Sequence, residues 1–330
     1  MKKSFPNIRM RRLRSTSGIR KLVRETNLCG SDLIQPIFIT EGKNKIQKIS
    51  SMPGINRYSI DMAVKEIRVL TKNGIGAVAL FPQINRRKKS NQASEAYNDD
   101  GLIQRAIREI KKKVPKSTII SDVALDPYTT HGQDGILSKK GKILNDETVE
   151  VLTKQALSHA KSGADIIAPS DMMDGRVLKI REILERNKFV DTMILAYSAK
   201  YSSNFYGPFR DAVGSIKSLG AKSKDSYQMD YANTGDALRE VELDINEGAD
   251  FVMIKPGLPY LDIVQRIKEK LNIPIFVYQV SGEYSMMKAV SQKGWLNEKK
   301  IVMEALACIK RAGATAIITY YAKEVLKWMK

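Results

Sequence analysis

Short apolar runs rich in β-branched residues alternate along the chain with longer stretches in which apolar positions recur every three or four residues. Eight runs fit buried strands: LIQPIFIT (33–40), AVALF (77–81), TIISDVAL (118–125), DIIAPS (165–170), MILAYSAK (193–200), FVMIKP (251–256), PIFVYQV (274–280) and AIITYYA (316–322). None alternates cleanly between apolar and polar, so both faces of each strand are expected to be covered, as in a parallel sheet flanked by helices. The stretches between them include 61–74, 146–163, 235–248, 260–272 and 298–313. Their spacing predicts amphipathic helices, several of them stopped by a glycine. Eight strand–helix units favour a closed (β/α)8 TIM barrel over an open doubly wound sheet, and no G-x-G-x-x-G follows the first strand to support a dinucleotide fold.

The first 30 residues lie outside the repeat. They are basic, contain Pro6 and Gly18, and carry only a weak apolar pattern. We therefore divide the chain into an arm, 1–30, and a barrel, 31–330. Such an arm is either disordered or ordered against a neighbouring subunit.

Composition changes this picture little. A hydrophobic content of 43% suits a chain with a sizeable core, and no run approaches the ~18 apolar residues that span a bilayer. The N-terminus has a basic start but no apolar region behind it, so a secretory signal is not expected. Cys29 and Cys308 show no metal-ligand spacing and fit a reducing, cytoplasmic setting. The formal charge of +19 is the unusual figure. It is dispersed over the predicted helices, with short clusters only at 9–14, 86–89 and 111–113, and no aromatic residues interleave with it. That distribution argues against nucleic-acid and membrane partners and leaves an anionic small molecule compatible.

Barrel enzymes place their chemistry at the C-terminal ends of the strands. Polar residues gather there: Asp122, Asp126, His131 and Asp134 at the third strand, and Ser170, Asp171 and Asp174 at the fourth. Lys200 and Lys255 end the fifth and sixth strands, Ser281 and Glu283 follow the seventh, and Tyr320 and Tyr321 stand on the eighth. Lys255 has three readings: an amine snorkelling to water, a phosphate-binding charge, or a nucleophile whose pKa is lowered by burial and a nearby cation. Lys200 at the equivalent position strengthens the third, because adjacent strands lie ~4.8 Å apart and like charges disfavour each other's protonation. The long loop after the fifth strand is either a surface excursion or a lid offering Arg210 and Lys222 or Lys224 to a carboxylate. The aspartates after the third strand either cap turns or hold a hard divalent ion.

SDVALDPYTTHGQDG, IAPSDMMDGR, KYSSNFYGPFRDAVGS, SYQMDYAN, VMIKPGLPYLDIV, YQVSGEYSMM and MEALACIKRAGA carry a resemblance over nearly the whole chain. The sequence resembles the porphobilinogen synthases, also called 5-aminolevulinate dehydratases. The resemblance implies a hydro-lyase that condenses two 5-aminolevulinate molecules into porphobilinogen in tetrapyrrole (heme) biosynthesis. By the same resemblance, Lys255 binds the first substrate and Lys200 the second, both as Schiff bases. Arg210 and Lys224 would hold the second substrate's carboxylate, and Ser281 and Tyr320 that of the first. Asp122 falls near the substrate amino group, Tyr206 and Phe205 at the lid base, and Ser170 among the substrate contacts. Zinc-dependent members carry cysteines where this chain has Ala124, Asp126 and Asp134, so no zinc and no organic cofactor are expected. The chain resembles the aspartate-type, magnesium-responsive branch, with Glu240 at an allosteric magnesium site and Asp126 and Asp134 the remaining candidates for an active-site metal. The family is a homo-octamer whose N-terminal arms embrace partner barrels.

Overall fold

A computed structural model describes residues 4–214 and 223–330. Eight strands form the predicted parallel barrel. They are β1 (Leu33–Ile39), β2 (Ala77–Pro82), β3 (Ile119–Val123), β4 (Ile166–Pro169), β5 (Met193–Lys200), β6 (Phe251–Lys255), β7 (Ile275–Gln279) and β8 (Ala316–Thr319). Each pairs with the next, and β8 closes the ring against β1 through Leu33↔Ile317 and Ile34↔Ile318. Every residue of β1, β2, β4, β7 and β8 is buried, which is why their sequences show no polar alternation.

Outer helices follow the strands: α1 (Ile60–Lys72), α2 (Leu102–Lys113), α3 (Asn145–Lys161), α4 (Arg176–Arg186), α5 (Gly235–Asn246), α6 (Leu261–Lys270), α7 (Glu298–Ala312) and α8 (Ala322–Trp328). The period behind them is visible in α1, where Ala63, Val64, Ile67 and Leu70 are the buried positions. The predicted glycine stops hold at Gly163 and Gly313, whose φ values of +100° and +124° suit a residue without Cβ.

Three features depart from the pattern reading. Tyr320 and Tyr321 leave the eighth strand and lead into α8, because a short apolar run does not distinguish a strand from the start of a buried helix. A helix at Gly207–Val213 interrupts the loop after β5, and another at Ser281–Gln292 precedes α7. Short strands Ile46–Lys48 and Asn56–Tyr58 decorate the loop after β1. In the arm, a 3-10 turn at Met10–Arg14 and a helix at Ser17–Leu22, capped by Thr16, bury no residue. No helix among the described residues is long and apolar enough to cross a membrane.

Candidate active site

The two strand-end lysines face each other in register, Lys255 against Lys200. That register depends on a bulge. Val252 pairs with Ala196, but Ile254 pairs with Ala199, so β5 carries one extra residue ahead of its lysine. Since a one-residue shift turns a side chain to the other face, the bulge is what brings both amines to one side of the sheet. Both are buried, at 5% and 6% exposure.

Their surroundings differ. The Lys255 amine sits among ring faces, with centroids at 4.5 Å for Tyr278, 5.0 Å for Phe209, 5.1 Å for Tyr206 and 5.3 Å for Tyr197. Such faces favour an ammonium, yet they also exclude water, and among the described residues the carboxylates that act on the amine, Asp122 foremost, do so without an ion pair. Burial first, and the Lys200 charge second, bring the Lys255 pKa down to about 7. Lys200 donates instead to the Ser170 carbonyl and lies 3.5 Å from Asp134.

Asp134 also accepts from the Lys224 amine at 2.9 Å, and Lys224 reaches Asp126 at 3.4 Å. Burial would raise Asp134, but Lys200 and Lys224 outweigh it and hold the carboxyl at about 2. Lys224 moves up for the matching reason, the two aspartates overcoming its burial. Asp126 and Asp134 thus face ammonium groups, and no cluster of three His, Cys, Asp or Glu side chains able to hold a metal is present among the described residues. This pair does not fit an active-site metal. Asp122 differs again: removal from water pushes it up to about 7 against a hydrogen bond from Ser170.

A cavity of about 30 Å3 joins these groups, lined by Asp122, Asp126, Ser170, Lys200, Arg210, Lys224 and Lys255 together with Phe81, Tyr206, Phe209 and Gln228. The Tyr206 hydroxyl donates to the carbonyls of Tyr201 at 2.7 Å and Lys255 at 3.1 Å. Tyr320 approaches through its hydroxyl, 2.9 Å from that of Tyr278. Ser281 accepts from the Phe209 N–H at 2.9 Å and donates to the Phe205 carbonyl at 3.3 Å. Phe205 stands outside the cavity, at the base of the segment that carries Arg210. Lys222 lies outside the described residues.

Glu240 is apart from the amines. It lines a separate groove of about 1020 Å3 with Asp174, Asp230 and Asp236. Burial raises its carboxyl, with Arg176 pulling the other way. These carboxylates share the groove without converging, since among the described residues no three of them cluster closely enough to hold a metal.

Reading the sequence for polar strand ends passed over the rings about Lys255. Tyr197 and Tyr278 lie inside MILAYSAK and PIFVYQV, and Phe209 lies in the loop. The phenols within otherwise apolar runs were the available signal.

A closed parallel barrel with its polar residues and two buried amines gathered at the strand ends defines the (β/α)8-barrel class of enzyme. The chain belongs to the delta-aminolevulinic acid dehydratase family, whose model matches residues 7–328. It is 51% identical to the delta-aminolevulinic acid dehydratase of Bradyrhizobium diazoefficiens, covering 98% of this chain and 91% of that one. Identity to the Bacillus subtilis delta-aminolevulinic acid dehydratase is 48%, covering 97% and 98%. The crystal structure of delta-aminolevulinic acid dehydratase (porphobilinogen synthase) from Toxoplasma gondii, in complex with the reaction product porphobilinogen, superposes with a TM-score of 0.95. Its sequence is 49% identical, over 97% of this chain and 91% of that chain.

Proposed function

We propose that this chain is a porphobilinogen synthase that condenses two 5-aminolevulinate molecules, with loss of two waters, through imines on Lys255 and Lys200. The observation that carries the reading is the pair of register-matched amines in unequal surroundings. With its pKa near 7, Lys255 is neutral often enough at neutral pH to attack a ketone first. The carbinolamine loses water to give a protonated imine, an electron sink that eases deprotonation of the adjacent carbon. Lys200 takes the second ketone, and Asp122, also titrating near 7, is suited to moving protons between the two. Arg210 and Lys224 are assigned to the second substrate's carboxylate, Ser281 and Tyr320 to the first, with Ser170 and Tyr206 shaping the walls and Phe205 at the base of the segment that carries Arg210.

We assign Glu240 to an allosteric magnesium ion, residues 1–30 to contacts in a homo-octamer, residues 31–330 to the catalytic barrel, and the cytoplasm as the working compartment. The resemblance is what supports these assignments.

Purified protein given 5-aminolevulinate should yield porphobilinogen, read by its colour with an aromatic aldehyde. Borohydride should trap a substrate adduct on Lys255, and Lys255→Ala should abolish turnover. A folded preparation that yields neither product nor adduct sinks the reading.

A further inference from the structure

Ser281, Gly282 and Glu283 open the helix that follows β7 and face two ways: the first two meet the segment Phe205–Phe209, the third the turn after Lys255. Ser281 bridges the backbone of Phe205 and Phe209. At Gly282 a Cβ would lie 2.6 Å from the Phe205 carbonyl oxygen and 2.8 Å from its Cα, so only glycine lets the lid base pack there. Glu283 turns the opposite way. One carboxylate oxygen accepts from Val280 N–H at 2.7 Å and Gly257 N–H at 3.1 Å, and the other accepts from Leu258 N–H at 2.7 Å.

The bond to Val280 is the glutamate half of a capping box and would stabilise the helix alone. The bonds to Gly257 and Leu258 have no such local purpose. They clasp the turn that starts directly after Lys255 and Pro256. Gly257 is drawn in so closely that a Cβ would meet the Tyr278 carbonyl oxygen at 3.2 Å and Glu283 Oε1 at 3.3 Å. Glu283 is 3% exposed, and burial pushes its carboxyl up to about 7 against the three backbone N–H groups that answer it. A buried acid is an expensive clasp for a turn that a smaller polar residue could hold, unless the position of the turn matters.

We propose that Glu283 is a positioning residue for the reaction: it locks the turn after Lys255 to the helix bearing Ser281, and so holds the first-substrate amine and the Ser281 hydroxyl in one fixed geometry. This rests on the reading of Lys255 as the imine-forming amine. Glutamine at this position is isosteric, but its amide nitrogen cannot accept, so at least one of the three N–H donors loses its partner.

The test uses the full-length chain and compares wild type, Glu283→Gln and Glu283→Asp by thermal melt, by kcat and KM, and by the rate of borohydride trapping at Lys255, mapped by mass spectrometry. Glu283→Gln should melt as a folded protein. Its trapping rate at Lys255 should fall by roughly tenfold to a hundredfold, the scale of a misplaced reacting group. Glu283→Asp, which keeps the carboxyl but withdraws it by a methylene, should fall between. A folded variant that traps at the wild-type rate overturns the proposal. So does a loss of trapping that merely follows the unfolded fraction, which would make Glu283 a stability residue. A wild type that gives no adduct overturns the imine reading together with this role, whereas failure of the variants alone to differ overturns this role and leaves the function standing.

Discussion

Lys255 and Lys200 share a residue type and a register position and differ in what surrounds the amine. Rings and a neighbouring charge surround Lys255; a carbonyl and a carboxylate meet Lys200. Because the Lys200 charge helps depress Lys255, Lys200→Met should raise the Lys255 pKa. The acid limb of borohydride trapping at Lys255, near pH 7 in the wild type, should then move to higher pH. Stability follows the same linkage. Lys255 gains its proton near 7 when folded and near the ordinary lysine value of 10.5 when unfolded, so between those values the unfolded state binds more protons. Stability contributed by this residue therefore rises with pH across that window, and Lys255→Met should flatten the dependence of Tm on pH there. Asp134 is the other decisive residue, since it answers both Lys200 and Lys224. Asp134→Asn leaves two buried ammonium groups short of a carboxylate and should cost about 3–5 kcal/mol, read from denaturant melts.

At the scale of elements, the helix Gly207–Val213 brings Phe209 and Arg210 over the amines and is held at both ends. Ser281 meets it at Phe209 N–H. At its C-terminal end the Arg57 guanidinium donates to the carbonyls of Asp211 at 2.7 Å and Ala212 at 2.6 Å, where a cation also suits the helix dipole. Arg57→Ala should loosen the helix by about 1.5 kcal/mol, appearing as a roughly tenfold higher KM for 5-aminolevulinate with little change in Tm. The strands themselves were legible, because covered parallel strands must read as apolar runs. The bulge in β5 was not: no residue in MILAYSAK announces it, and it exists only as a mismatch between two paired strands.

For the whole molecule, none of the arm's described residues is fully buried, Leu28 rests against the core, and Phe5, Met10 and Leu22 are 72%, 60% and 85% exposed. If it joins subunits as assigned, deleting residues 4–28 should lower the mass measured by light scattering while leaving the barrel folded. Glu240→Gln should blunt the change in mass or activity on adding magnesium and leave imine trapping at Lys255 intact. Repetition of strand and helix, polar strand ends and the paired lysines were all readable from the order of residues, since backbone periodicity and burial act locally along the chain. The sequence by itself therefore determined the barrel, the end of it that carries chemistry, and the amines at its centre. Only the tertiary structure decided that rings from β5, β7 and the segment Tyr206–Phe209 enclose Lys255, that Asp134 serves two lysines, and that Glu283 grips the turn beside Lys255. Those contacts join residues distant in the chain, and their energies depend on distances and on the exclusion of water that exist only once the barrel has closed.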